Sequence, residues 1–309
     1  MHRYLSVPAT LHEVQTALEH LTQVDSRHGL YFLAGHDDHV AIRLRRESAS
    51  RPHFERAVRY GRILGLIPFV RMVALTGSLA VLNLSKGADI DYMLVTAPRH
   101  LWTARAFAVT LGRFLRLFGS TICVNLIVSE NALAWPLHDL YSAREMCQMI
   151  PVTGFDVYHR LRAANPWTEE VLPNSGLDKM RDYNPALHKT LGVRCNMESD
   201  SLLSDGVGLQ SHTPYTLSDT MREQAPAFQK LFELPLRQNL GARLEAWTVK
   251  FQLHRIGHHA GTSDEVNFSA DVCQGNFHQH RHWAAKFFHQ RLVELGLADG
   301  PRKSPRVYP

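Results

Sequence analysis

The sequence predicts an α+β fold: a mixed sheet with helices packed on it, behind a small N-terminal module and ahead of a mainly helical C-terminal region. Three observations predict it. Apolar runs of strand length at 70–75, 89–95 and 121–128 are separated by segments with helical spacing. The 309 residues are about twice a typical domain length. With 45% hydrophobic and 20% charged residues, the chain has material for a core and is neither mainly disordered, collagen-like nor coiled coil.

Taken in order, the first element is a helix opening at Thr10, where Thr10 and Glu13 have capping-box spacing ahead of Leu11, Val14, Leu18 and Leu21. Leu30–Leu33 and Val40–Arg45, on either side of a polar turn, predict a β-hairpin. A helix followed by a hairpin with an arginine-loaded second strand resembles a winged-helix module, assigned to residues 1–50; a small scaffolding subdomain fits the same residues. The segment 51–135 carries the sheet: a helix from Pro52 to Leu66, strands at 70–75, 89–95 and 121–128, the start of a helix at 78–83, and a long amphipathic helix at 102–118. Arg105, Arg113 and Arg116 lie on the polar side of that last helix. Residues 136–309 predict a helical region, with helices at 142–149, 156–164, 228–236, 241–256 and 280–295. It includes a long polar connector near 175–216 and a fraying tail after Gly300.

Several classes are excluded or permitted by composition. The net charge is +5, and eight arginines between Arg43 and Arg71 face two glutamates, so an anionic partner such as nucleic acid is permitted. Cys123, Cys147, Cys195 and Cys273 are far apart without a CxxC pair, which favours small core residues or unreactive thiols over a disulfide or zinc site. The uncharged run Met72–Ser85 spans 14 residues and contains Thr, Gly, Ser and Asn, too short and polar to cross a bilayer. No membrane partner is expected. The first residues lack an apolar stretch of signal-peptide length, so the expected location is cytoplasmic.

The chemistry is concentrated in Val73-Ala74-Leu75-Thr76-Gly77-Ser78-Leu79-Ala80 and Ala88-Asp89-Ile90-Asp91-Tyr92-Met93-Leu94-Val95. Residues two apart in a strand face the same way, so Asp89 and Asp91 project side by side and suit a divalent cation. Without a cation, such close carboxylates repel. Gly77-Ser78 sits between a strand and a helix, where backbone amides and the serine hydroxyl approach a phosphate. A triphosphate held there has its α-phosphorus near cations held by the aspartates, the layout for in-line attack by a hydroxyl. Lys86, just before Asp89, is placed to neutralise triphosphate charge, although a mobile surface lysine is an equal account.

These residues resemble the signature of the DNA polymerase β-like nucleotidyltransferase superfamily, a hydrophobic residue with Gly-Gly or Gly-Ser followed by two acids alternating with hydrophobic residues. The resemblance covers roughly residues 71–128. It implies a mixed palm of five or fewer strands, two Mg2+ ions, and transfer of a nucleoside monophosphate from an NTP to an acceptor, with pyrophosphate released. It assigns phosphate binding to Gly77 and Ser78, and metal binding with catalysis to Asp89 and Asp91. The wider layout, including Asp139-Leu140-Tyr141-Ser142-Ala143-Arg144-Glu145 and Asn165-Pro166-Trp167, is similar to prokaryotic nucleotidyltransferase-domain proteins. One position departs from the pattern. Where the superfamily has a third carboxylate on a later strand, this chain has Asn125, whose amide can ligate a cation but is a poor general base. Catalysis with two aspartates, substitution by Glu130 or Glu145, and nucleotide binding without turnover all remain open at this point.

Other residues are read against simpler accounts. His254, His258, His259, His278, His280 and His282 offer helical spacings suited to zinc, while a polar helix start explains the alternating histidines. Trp102 and Trp167 are candidates to stack a base, with core packing the competing account. Tyr141, Arg144 and Glu145 fall on a helix that either lines the nucleotide cleft or presents a charged surface. The leading expectation is an Mg2+-dependent nucleotidyltransferase acting on an unidentified hydroxyl-bearing acceptor. The alternatives are a catalytically degenerate nucleotide- or nucleic-acid-binding protein relying on the arginine-rich N-terminal module, and a scaffold that binds no nucleotide.

Overall fold

The computed structural model describes residues 1–176, 227–237, 239–257, 266–275 and 280–296. The N-terminal segment contains α1 (Leu11–His20), β1 (Val24–Arg27), β2 (Leu30–Leu33) and the 28-residue α2 (Asp38–Gly65). The expected capping box is present: Glu13 N–H donates to Thr10 Oγ1 at 3.2 Å, and Thr10 N–H donates to Glu13 Oε2 at 2.7 Å. The expected hairpin is displaced. Its strands are β1 and β2, paired antiparallel from Val24↔Leu33 to Arg27↔Leu30, while residues 40–45 are helical. The helix predicted to begin at Pro52 begins at Asp38 and runs through both that proline and the expected module boundary at residue 50. The winged-helix-like reading therefore loses the strand that would carry its arginines. The alternation at Val40, Ile42 and Leu44 falls inside α2, where Glu47 lies 3.6 Å from Arg43 and 2.7 Å from Arg51, each one helical turn away.

The remaining elements are β3 (Val70–Leu75), α3 (Gly77–Ala80), β4 (Ile90–Thr96), α4 (Leu101–Arg116), β5 (Ile122–Ser129), α5 (Leu140–Gln148), β6 (Ile150–Thr153), α6 (Phe155–Ala163) and α7 (Trp167–Val171). They are followed by α8 (Ala227–Glu233), α9 (Asn239–Gly257), β7 (Val266–Phe268), β8 (Val272–Gly275) and α10 (His280–Glu294). One mixed sheet joins six strands in the order β6-β3-β4-β5-β8-β7, with β4 and β5 parallel and every other pair antiparallel. The sheet thus exceeds the five strands implied for a palm. It also extends beyond residue 135, because β6, β7 and β8 come from the region expected to be helical. The helix expected at 78–83 is a single turn, α3. The polar connector at 175–216 lies outside the described residues from 177 onward, as does the tail from 297 onward.

Strand alternation divides the core between the two faces of the sheet. Val73, Leu75, Tyr92, Leu94 and Ile127 pack with Phe54, Ala57, Val58 and Leu64 of α2 and with Leu101, Trp102, Ala104 and Ala108 of α4. Met72, Ala74, Met93, Val95 and Val128 pack with Met146 of α5 and with Val157, Tyr158 and Leu161 of α6. Asp91 shares the parity of Met93 and Val95, so it belongs to the α5 face. Helix α8 is tied to the sheet by Glu233, which is 1% exposed and accepts from Phe69 N–H at 2.7 Å and from both terminal nitrogens of Arg71. Among the described residues no helix is long and apolar enough to cross a membrane, and Cys123, Cys147 and Cys273 form no disulfide.

Candidate active site

A cleft of about 870 Å³ opens where β3 ends, β4 and β5 begin and β8 ends. The first contact across it is made by the backbone. Thr76 N–H donates to Asp91 O at 2.9 Å, continuing the β3–β4 ladder by one residue and setting Gly77 against Asp91. Gly77 has φ +65, and a Cβ built on it would lie 2.4 Å from Asp91 Oδ2. Only glycine tolerates both the left-handed backbone and that approach. Gly77 thus approaches Asp91 directly, while Asp89, just before β4, is exposed. Gly77→Ala is expected to destabilise the protein by about 2 kcal/mol, measured by urea denaturation, through left-handed strain and displacement of the carboxylate.

Helix α2 braces the loop between the turn and Asp89. Arg43 donates to Leu82 O at 2.7 Å and Val81 O at 3.3 Å. Ser50 Oγ accepts from the buried Leu84 N–H at 3.0 Å while donating to Arg46 O at 2.7 Å. Asn83 N–H closes the loop on Ser78 O at 2.9 Å. Part of the arginine-rich segment is thus committed to positioning the site. Ser50→Ala leaves the Leu84 amide without its acceptor, and a loss of about 1–2 kcal/mol is expected in the denaturation midpoint analysis.

Gly77, Ser78, Asp89, Asp91 and Asn125 all line the cleft. Lys86 does not line it; it sits exposed in the turn before Asp89. Asn125 occupies a bulge in β5: Asp91 pairs with Cys123 and Tyr92 with Val124, but Met93 pairs with Leu126. The bulge changes the alternation, so Cys123 is the cross-strand neighbour of Asp91 and Asn125 enters the cleft one step farther along. Of the two carboxylates considered in place of Asn125, Glu145 projects from α5 into the same cleft, whereas Glu130 pairs with Arg160 and does not line it.

The electrostatics identify a site short of positive charge. Burial pushes the Asp91 carboxyl up to about 6, and the charge on Asp89 adds to the shift. Burial likewise pushes Glu145 up to about 7, with Asp91 as the second cause. The Cys123 thiol is pushed up to about 11, first by burial and then by Asp91 and Asp89. Arg105 and Arg281 also line the cleft, but Arg281 is paired with Asp139. Two cleft-lining polar atoms, Thr76 Oγ1 and Trp135 Nε1, are buried without a hydrogen-bond partner among the described residues, as expected where a polar ligand belongs.

Sequence reasoning missed Arg105, Cys123, Trp135, and the Asn267 and Gln274 wall contributed by β7 and β8. A usable signal existed for the last two: Val266-Asn267-Phe268, then Ser269-Ala270-Asp271, then Val272-Cys273-Gln274 alternates and turns as a hairpin should. The two tryptophans considered for base stacking belong to the core. Trp102 is 1% exposed and donates from Nε1 to Ser269 O at 2.9 Å, and Trp167 is buried with His138 stacked on it. His254 and His282 are exposed, while His258, His259, His278 and the side chain of His280 lie outside the described residues. Among the described residues, His36, Asp38 and His39 bring ligand atoms within 4.8 Å of one another, but none lines the cleft. Compared with family models, curated proteins and solved structures, the chain matches none.

Proposed function

We propose that this chain is a divalent-cation-dependent nucleotidyltransferase that moves a nucleoside monophosphate from a nucleoside triphosphate to a hydroxyl-bearing acceptor. The observation carrying this reading is the convergence of Gly77, Ser78, Asp89, Asp91 and Glu145 on one cleft large enough for a nucleotide. The donor set fits hard cations: three carboxylates and the Asn125 amide oxygen are all oxygen ligands, and burial first, with a neighbouring carboxylate second, holds Asp91 and Glu145 above the usual carboxylate range. Asp89 and Asp91 would hold Mg2+, with Glu145 and Asn125 as further donors. Two bound ions would supply Lewis-acid stabilisation of the phosphate oxygens.

The chain's own groups account for the rest. Because α3 is a single turn, its helix dipole contributes little; the amides of the Gly77–Ser78 turn and the Ser78 hydroxyl bind the outer phosphates. Arg105 offsets their charge. The acceptor oxygen bonds to the α-phosphorus as the bond to the bridging oxygen breaks, and pyrophosphate leaves with that electron pair. Glu145 receives the acceptor hydroxyl proton, the role that Asn125 is unsuited to fill. Its elevated proton affinity matches a base working near neutral pH.

The competing account, a nucleic-acid binder driven by the N-terminal arginines, draws less support: Arg43 is engaged by loop carbonyls, Arg51 by Glu47 and Arg71 by Glu233. The deciding experiment incubates the protein with each labelled NTP, with and without Mg2+ and cell extract. Magnesium-dependent pyrophosphate release and labelled product are expected; no turnover with any of the four nucleotides overturns the proposal.

A further inference from the structure

A second groove, of about 470 Å³, runs between α4 and α9. Each helix contributes a row at i, i+4 and i+8: Arg105, Val109 and Arg113 from α4, and Trp247, Phe251 and Arg255 from α9. Eight residues of helix extend about 12 Å, roughly three stacked nucleotides at 3.4 Å each. The walls are fixed. Glu245 at α9 accepts from Trp102 N–H and Thr103 N–H at 2.8 Å, and Gln252 donates to Trp102 O at 2.8 Å.

The groove's chemistry is unlike that of an ordinary helix seam. Trp247 and Phe251 are 61% and 48% exposed, stacked on one another with centroids 5.4 Å apart and ring planes 9° apart. Arg255 lies over the Phe251 ring at 5.8 Å. No acidic residue lines the groove, and no carboxylate pairs with Arg105, Arg113 or Arg255 among the described residues. Arg105 lines both this groove and the catalytic cleft, so the two share one side chain.

We infer that the α4–α9 groove binds a single-stranded nucleic acid and leads its end towards the carboxylates, an inference that rests on the nucleotidyltransferase reading for what happens at that end. Bases continue the Trp247–Phe251 stack, and Arg113 and Arg255 neutralise phosphates alongside. A duplex, whose bases are already stacked inside, gives those rings nothing to receive. Charge complementarity favours this occupant over an apolar protein segment, which would bury the Arg113 and Arg255 guanidinium groups without carboxylate partners, Arg105 already donating to Gln252 Oε1.

The test uses a fluorescent oligouridylate and a matching RNA duplex, titrated against the full chain in EDTA so that turnover plays no part. Tighter binding of the single strand is expected. Trp247→Ala is expected to weaken it at least tenfold, as loss of one stacked base does. Arg113→Gln should reduce the slope of log affinity against log salt by about 0.7, and Arg113→Lys should restore it. Equal affinity for duplex and single strand, or single-strand affinity indifferent to Trp247→Ala and Arg113→Gln, overturns the inference. Because these residues are exposed, a Phe251→Leu variant with unchanged melting temperature guards against misfolding and should lose single-strand affinity in the same way. Pyrophosphate release is measured separately: if it fails while Trp247-dependent binding holds, the nucleotidyltransferase reading falls and the groove stands, and the converse result separates them the other way.

Discussion

Asp91→Asn is expected to reduce magnesium-dependent pyrophosphate release about a thousandfold or more while leaving the protein folded. The reason lies in what surrounds the carboxylate. Asp91 is packed against Gly77, coupled to Asp89 and Glu145, and lines the cleft beside Ser78. Removing its charge takes away an oxygen donor where phosphate charge is to be neutralised, a contribution of several kcal/mol, and each 1.36 kcal/mol is tenfold in rate. The amide has nearly the same shape, so the Gly77 contact survives. In metal-free buffer at pH 8 the variant should also be more stable than the unsubstituted chain, because the fold no longer holds a desolvated charge there. Lost turnover together with raised metal-free stability identifies a functional group maintained against the fold's preference. Full activity in Asp91→Asn would remove the cleft from consideration as the catalytic centre.

The parts of this site legible in the sequence were those encoded locally. Glycine at 77 and acids at 89 and 91 carry their meaning in spacing, since strand parity and a turn's need for positive φ are short-range rules. The runs at 70–75 and 121–128 were readable because buried strands are continuously apolar. Long-range decisions were not readable. The sequence offered Glu145 only as one of two substitutes; it enters the cleft because α5 packs Met146, about 100° around its axis, into the sheet core, which no local pattern decides. The β5 bulge that moves Cys123 beside Asp91 depends on the partner strand's register. Val40 to Arg45 alternated like a strand yet became helix because Arg43 and Ser50 found acceptors and donors in a loop some forty residues later in the chain. β6 was too short for its alternation to outweigh the helical segments around it, whereas β7 and β8 carried a local hairpin signal; what the sequence did not contain is their joining to the sheet, β6 on β3 and β8 on β5.

The same carboxylates make stability depend on pH in a direction opposite to ordinary acid denaturation. Asp91 rises from 3.8 to about 6 on folding, and Glu145 rises from 4.5 to about 7. Between the unfolded and folded values, the native state holds protons that the unfolded chain has released, so unfolding free energy falls as pH increases. Their contribution is fully favourable below about pH 4 and is lost through pH 6 to 7, a span of about 3 kcal/mol for either group alone and less than twice that for the interacting pair. In EDTA, urea unfolding of the full chain should therefore show stability declining from pH 5 to pH 8. The double variant Asp91→Asn, Glu145→Gln should remove most of that decline by remaining neutral throughout. Mg2+ should act in the opposite sense: a cation binds the deprotonated carboxylates, so its stabilisation grows as pH rises through the same window. A Mg2+ effect of equal size at pH 5 and pH 8, or one undiminished in the double variant, would place cation binding elsewhere on the molecule, because no protons would then be exchanged for the ion at Asp91 and Glu145.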